Sequence, residues 1–287
     1  MILNLSNNHI DYQFDTDEGI SIAIDLNFNQ QQPNHFGAEI ACKEALSGGG
    51  FIGDTKRGGS CNVDSITMVP HCNGTHTETV AHIVHQPVPI GKNLAQSLSV
   101  CQVISVTPII ASSTQDSYMP ELDNNDVVID LSCLKSQLQQ SQLDNIQALV
   151  IRTYPNDSNK KSCIYNDDNQ PPFFTHQAMS WLAASGINHL LVDMPSVDKM
   201  YDDGQLSNHH IYWNVTPNSR LLNDDSRPER TITEMVYVED SVSDGLYCLN
   251  LQLPAFELDA APSRPILYPL NTCNNGGQAH PTTKKNL

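Results

Sequence analysis

No stretch of this chain stays apolar for the roughly 20 residues that a membrane-spanning helix needs, so a transmembrane role is excluded. Basic runs are missing too. Only 15 Lys and Arg stand against 32 Asp and Glu, a formal charge of −17, and such a surface repels phosphate backbones and anionic lipid. Nucleic acid and membrane surfaces are thereby excluded as partners, and a small molecule is the expected one. The eight cysteines are widely spaced and include no CxxC pair. In a chain of 287 residues, long enough to bury its own core, they read as reduced thiols rather than as a disulfide framework. The N-terminal stretch MILNLSNNHIDYQFDTDEG has no basic segment leading into an apolar one, so the expected location is cytoplasmic. Internal repeats are absent as well, which excludes solenoids and propellers.

What the chain does contain is 39% hydrophobic residues, arranged as short runs rich in β-branched residues and bounded by turn formers. Strands are expected at 20–26, 65–69, 98–106, 126–131, 148–152, 189–192, 231–238 and 245–251. Helices are expected at 79–85, 134–146 and 175–185, the last with Thr175 as its cap, Gly186 as its stop, and Trp181 and Leu182 facing inward. This alternation predicts an α/β fold. The polar stretches at 156–172 and 218–230 read as surface loops, because strand signals resume on both sides. The expected organisation is one domain over 1–270, with 271–287 as a flexible C-terminal tail.

Chemistry concentrates in HCNGTHTETVAH, residues 71–82. Three histidines, a cysteine and a glutamate surround a Gly-Thr pair, and glycine lets a turn aim several short side chains at one point. Cys, His and Glu at this spacing suit a zinc-like ion. The same composition also describes a hydrogen-bonded surface loop. Elsewhere, Glu234 lies among apolar neighbours in TITEMVYV, where alternation puts Ile232, Glu234 and Val236 on one face. A carboxylate there needs a partner or a cation. Asp193 and Asp198, flanking Pro195-Ser196, read as turn caps that orient neighbours. Arg152 reads either as a clamp for a substrate carboxylate or as half of a structural ion pair.

The 71–82 stretch resembles the HxGTHxDxPxH signature of the cyclase-like metal-dependent hydrolases, the family that includes bacterial kynurenine formamidase. LLVDMPSVDKMYDDGQLSNHH (190–210), RTITEMVYV (230–238) and DGLYCLNLQLPAFELDAAPSRPILYPL (244–270) resemble further segments of it. The resemblance implies a single domain with a mixed β-sheet core flanked by helices, the swivelling β/β/α fold of the cyclases and formamidases. It also implies a homodimer or homotetramer. By the same resemblance His76, Glu78, His209 and Glu234 are metal ligands, and His82 is the proton donor and acceptor. The first ligand falls on Cys72, four positions before His76, or on His71 if Asn73 is a bulged insertion. His210 is the alternative to His209. Phe36, within QPNHFGAE, reads as a substrate-binding aromatic of the pocket near the ligand site. The implied cofactor is Zn²⁺, with Mn²⁺ as the alternative, and the implied reaction is hydrolysis of an amide, formamide or ester bond in a small molecule. A thiolate among the ligands would damp the ion's acidity, so the competing expectation is an inactive metal- or ligand-binding protein. Glycines in 47–62 suggest a flap over the site.

Overall fold

A nine-stranded mixed sheet organises the chain; the structure is a computed structural model that describes residues 1–94 and 96–273. Its strands are β1 (Ile20–Ser21), β2 (His76–Glu78), β3 (Leu98–Val106), β4 (Ala148–Thr153), β5 (His189–Val192), β6 (Thr231–Glu234), β7 (Gly245–Asn250), β8 (Ala260–Pro262) and β9 (Ile266–Pro269). They lie in the order β8-β2-β6-β5-β4-β3-β7-β9-β1. The central four, β6, β5, β4 and β3, run parallel, and antiparallel strands flank them on both sides. Parallel strands are covered on both faces, which is why these segments read as near-continuous apolar runs. Val100, Ile104, Leu149, Ile151, Leu190 and Ile232 pack under the helices. Their alternate neighbours Cys101, Val103, Ala148, Val150 and Leu191 fill a second core on the opposite face.

Three helices cross over between parallel strands: α1 (Leu131–Gln137) links β3 to β4, α2 (His176–Ala183) links β4 to β5, and α3 (Ser207–Trp213) links β5 to β6. Thr175 caps α2 through Ala178 N, as its position predicts, and Ala178, Met179 and Leu182 form the buried stripe. The helix ends at Ala184 rather than at Gly186. The helix expected over 134–146 starts earlier, because Asp130 caps it through Cys133 N, and breaks at Leu138, whose side chain folds back into the core. Beyond Leu138 a single helical turn re-forms at Gln140–Leu143, and Leu143 and Ile146 return to the core. In place of the helix expected over 79–85, only a 3₁₀ turn forms, at Val80–His82.

Other differences bear on the site. Asp64–Thr67 is not a core strand; it pairs with Cys42–Ala45 in an exposed ribbon. The residues of 47–62 extend that excursion, and none of them lines the cavity described below. The strand expected over 231–238 ends at Glu234, because Met235 adopts φ +53. That kink reverses the alternation: Ile232 lies in the core under the helices and Val236 in the opposite one. Of the expected tail, Asn271–Thr272 pairs with the second strand of an N-terminal hairpin, Ile2–Asn7 with Ile10–Asp15. Residues 274–287 lie outside the described residues.

His189, the first residue of β5, is 9% exposed and shares a 2.9 Å hydrogen bond with Thr231. Burial pushes its pKa down to about 4. The folded value is below the unfolded one of about 6.5, so this contribution to stability is present above pH 6.5 and disappears as pH falls through 4. The full difference is about 3 kcal/mol. We expect His189→Gln to flatten the fall in unfolding free energy between pH 6.5 and 4.5, measured by urea titration. An unchanged slope would show that His189 is solvated in the folded state.

Candidate metal centre

The site forms beyond the carboxyl ends of β5 and β6, where ligand sites of open α/β sheets gather. Gly74 occupies φ +146, a conformation that side chains rarely adopt, and its carbonyl receives His76 Nδ1 at 2.9 Å. Thr75 clamps the turn by donating to the Met235 carbonyl and accepting from Ile24 N. Within Gly-Thr-His, the glycine turns the chain, the threonine anchors it and the histidine presents a nitrogen. His76 and Glu78 are alternate residues of β2 and share a face. Glu234 of β6 stands directly opposite His76 in the antiparallel register and joins that face.

His209 reaches the same point from α3. Asp198 Oδ1 accepts from Asn208 N and the Tyr118 hydroxyl, while Oδ2 accepts from His209 N and, at 2.5 Å, from His209 Nδ1. One buried carboxylate therefore caps the helix and fixes the ring. His209 Nε2 then lies 2.9 Å from Glu78 Oε1 and 3.9 Å from Glu234 Oε1. Glu234 Oε1 also accepts from Val197 N, and its Oε2 is 3.3 Å from His76 Nε2. His210 bonds the Val215 carbonyl and takes no part.

His71, not Cys72, occupies the remaining place. Its Nδ1 is 3.0 Å from Glu78 Oε2, close but not aligned as a hydrogen bond, and its Nε2 is 2.9 Å from Asp259 Oδ2. Neither Cys72 nor Glu234 belongs to a close group of three possible metal-holding side chains among the described residues; Glu234 touches His76 and His209, whereas the buried Cys72 thiol makes no such contact. Burial, then the Glu234 charge, pushes its thiol pKa up. Strand alternation does not govern this pair, because both residues lie in a turn in which Val69 O accepts from Cys72 N and Asn73 N. His82 stacks on His71 at 4.4 Å, with Nδ1 3.5 Å from Asp259 and 3.9 Å from Glu78.

The donor set fits a cation. A carbonyl only accepts, so His76 Nδ1 carries the proton and Nε2 turns a lone pair toward Glu234; that nitrogen is buried without a hydrogen-bond partner, as is Glu78 Oε2. His209 repeats the pattern: Nδ1 gives its proton to Asp198, and Nε2 faces Glu78. Two acceptors cannot face each other in a buried site unless a cation lies between them. Carboxylate–imidazole pairs of this kind support metal ligands. Without an ion, protons take that role. Burial disfavours the imidazolium of His209, yet Glu78 and Asp198 hold its pKa well above the usual range, and Asp259 and Glu78 likewise outweigh burial to raise His71 to about 10. Burial alone would raise Glu78, but His82 and His209 bring it well below the carboxylate range.

A cavity of about 170 Å³ opens onto these groups, with Phe36, His35, Pro195 and Leu206 among its walls. Phe36 is 59% exposed and stands at its rim. Arg152 is structural: its guanidinium bonds Ser105, the carbonyls of Glu239 and Val242, and Asp244. Asp193 holds Thr153 and Lys160. Two further residues of the site escape a reading of the sequence. Asp259 lies 188 positions from His71, and an acid ahead of the apolar pair Ala260-Ala261 is its only local signal. His35 adjoins Phe36 and has no signal of its own.

Residues 13–199 match the family model described as "Putative cyclase". The chain is 28% identical over 236 residues to a kynurenine formamidase of Bacillus cytotoxicus, covering 82% of this chain and 88% of that one. It is 27% identical over 213 residues to the kynurenine formamidase of Bacillus anthracis, covering 74% and 82%. Among solved structures, a potential metal-dependent hydrolase with cyclase activity superposes with a TM-score of 0.54 at 14% identity, over 88% of this chain and 98% of that one. Isatin hydrolase A from Labrenzia aggregata, bound to benzyl benzoate, gives 0.55 at 13% identity, over 87% and 93%.

Proposed function

Since the chain belongs to the cyclase family, we propose that it is a metal-dependent hydrolase of an amide, formamide or ester bond in a small aromatic substrate. One observation carries this reading. The Nε2 atoms of His76 and His209 point lone pairs at Glu234 and Glu78 inside a buried cluster beside a cavity. His71, His76, Glu78, His209 and Glu234 would hold the ion. With His71 in place of Cys72 the donors are imidazole and carboxylate, which suit Zn²⁺ first and tolerate Mn²⁺. A divalent cation bound there supplies Lewis acidity, which lowers the pKa of water and polarises a carbonyl.

His82 is placed for the proton work. It is partly exposed at the edge of the cluster, and Asp259 orients it from 3.5 Å. It takes a proton from the attacking water as the oxygen bonds the carbonyl carbon, then returns that proton to the departing nitrogen or oxygen as the old bond breaks. The thiol that favoured an inactive, closed site is not among the clustered donors, so that alternative loses its support. The kynurenine formamidase relatives point to formamides of aromatic amines as the substrate class.

The eight unpaired cysteines suit a reducing cytoplasm, and among the described residues no helix is long and apolar enough to cross a membrane. The ribbon around 40–69 exposes Ile40, Leu46, Ile66 and Val69, apolar side chains that a second copy of the chain would cover. The test combines elemental analysis with turnover of formanilide, N-formylkynurenine and 4-nitrophenyl acetate, followed by sedimentation of the same preparation. Stoichiometric zinc with hydrolysis of at least one of these is expected, from an oligomer. A fully metallated protein inert to all three would overturn the hydrolase reading, and a monomer at micromolar concentration would overturn the assembly.

A further inference from the structure

His35 is 2% exposed, and neither of its ring nitrogens has a hydrogen-bond partner. A buried imidazole normally satisfies at least one of them, and leaving polar atoms unpaired is destabilising. The ring lines the same cavity as His71, Glu78 and Glu234. Phe36 covers it at a centroid distance of 3.9 Å, and the edge of Tyr165 approaches at 6.2 Å.

The backbone holds this arrangement firmly. His35 N donates to the Cys72 carbonyl, Asn34 is bridged to Ile164, and the Asn34 side chain donates to the Ala38 carbonyl. Phe36 is held at φ +56, an outlier for a bulky residue of the sort that collects at ligand sites. An unpaired ring kept in place beside a strained neighbour is poised for a partner that arrives from outside.

We propose that His35 is a substrate-binding residue whose ring hydrogen-bonds an uncharged carbonyl of an aromatic ligand held under Phe36. Its surroundings argue for a neutral partner. Among the described residues no carboxylate lies within ion-pair distance of His35, and the rings that pack on it are those of Phe36 and Tyr165, so the ring itself has no charged partner. The cavity, at about 170 Å³, is below the roughly 300 Å³ at which drug-sized pockets begin; it suits one ring with a small polar group. The proposal rests on the reading of the adjoining cluster as a hydrolytic centre, but its test needs no turnover.

The experiment measures binding of benzamide and of toluene to the zinc-loaded full chain by calorimetry, alongside the thermal midpoint, for the parent, His35→Phe, His35→Leu and His35→Gln. The expected result is a loss of about tenfold in benzamide affinity for Phe and Leu, with toluene unchanged and with partial retention by Gln. The midpoints of Phe and Leu should stay level or rise, because two unpaired nitrogens have been removed. A structural histidine would give the opposite, a lowered midpoint with the benzamide preference intact, and that outcome would overturn the proposal. Equal benzamide binding in all four proteins would overturn it too. Should the parent bind benzamide while hydrolysing none of the panel above, the hydrolase reading fails and this one stands.

Discussion

Replacing Glu78 with glutamine is expected to remove the metal and the activity together. Glu78 is fully buried and is the carboxylate on which the cluster converges: its oxygens lie 2.9 Å from His209, 3.0 Å from His71 and 3.9 Å from His82. Glutamine preserves the shape but replaces a charged acceptor with a neutral amide, and one end of that amide becomes a donor. Loss even of outer partners of a metal site lowers affinity by about 10- to 100-fold, so losing this carboxylate should weaken zinc binding by at least about 100-fold. A thermal readout checks this without any substrate. Zinc at about 100 times its dissociation constant should stabilise the parent by about 2.7 kcal/mol, and Glu78→Gln should gain almost nothing at the same concentration. His210→Gln, next to His209 but turned toward the Val215 carbonyl, should behave like the parent. If Glu78→Gln retained the full zinc-dependent shift, the ion would have to be held elsewhere.

The second large effect separates proton transfer from metal holding. His82→Gln should lower kcat by about 10²- to 10⁴-fold, the usual contribution of a positioned acid–base group, while leaving zinc content and KM near the parent's. This contrast matters because Glu78, His82 and His209 also bring ligand atoms within reach of one another and could together hold an ion. His82 differs from the other two in its surroundings: it is partly exposed, beside Asp259, and stacked on His71. Added imidazole should restore part of the lost rate in His82→Gln, since a small base can enter where the ring was removed. Zinc lost in proportion to kcat would instead make His82 a ligand, and the proton carrier would have to be sought elsewhere.

Several features of the site can be read directly from the chain. Gly74-Thr75-His76 and Glu78 mark the turn and two donors, because a glycine followed by alternating side chains on a strand has few other geometries. The capped helix after Thr175 and the strands at 98–106, 148–152 and 189–192 are likewise legible, since periodicity and β-branched runs act locally. Expectations fail where distant packing overrides local preference. Residue pattern alone carries the strand around Glu234 on to Val238, yet Met235 N bonds the Met194 carbonyl and the chain kinks. The same kink leaves Glu234 at the strand end, facing His76.

Composition and pattern establish the α/β class and the acidic character that disfavours nucleic acid, and the resemblance to the cyclase family points to five of the six histidine and glutamate positions that converge: His76, Glu78, His82, His209 and Glu234. Only the folded chain shows that His71 rather than Cys72 lies against Glu78, that Asp198 fixes the His209 ring, that Asp259 meets His71 and His82, and that His35 lines the cavity beside them. The reason is geometric. Which of two neighbours in a turn faces a site, and which acid almost two hundred positions away comes to meet it, depends on how turns and strands are stacked in space, and no local pattern of residue types encodes that stacking.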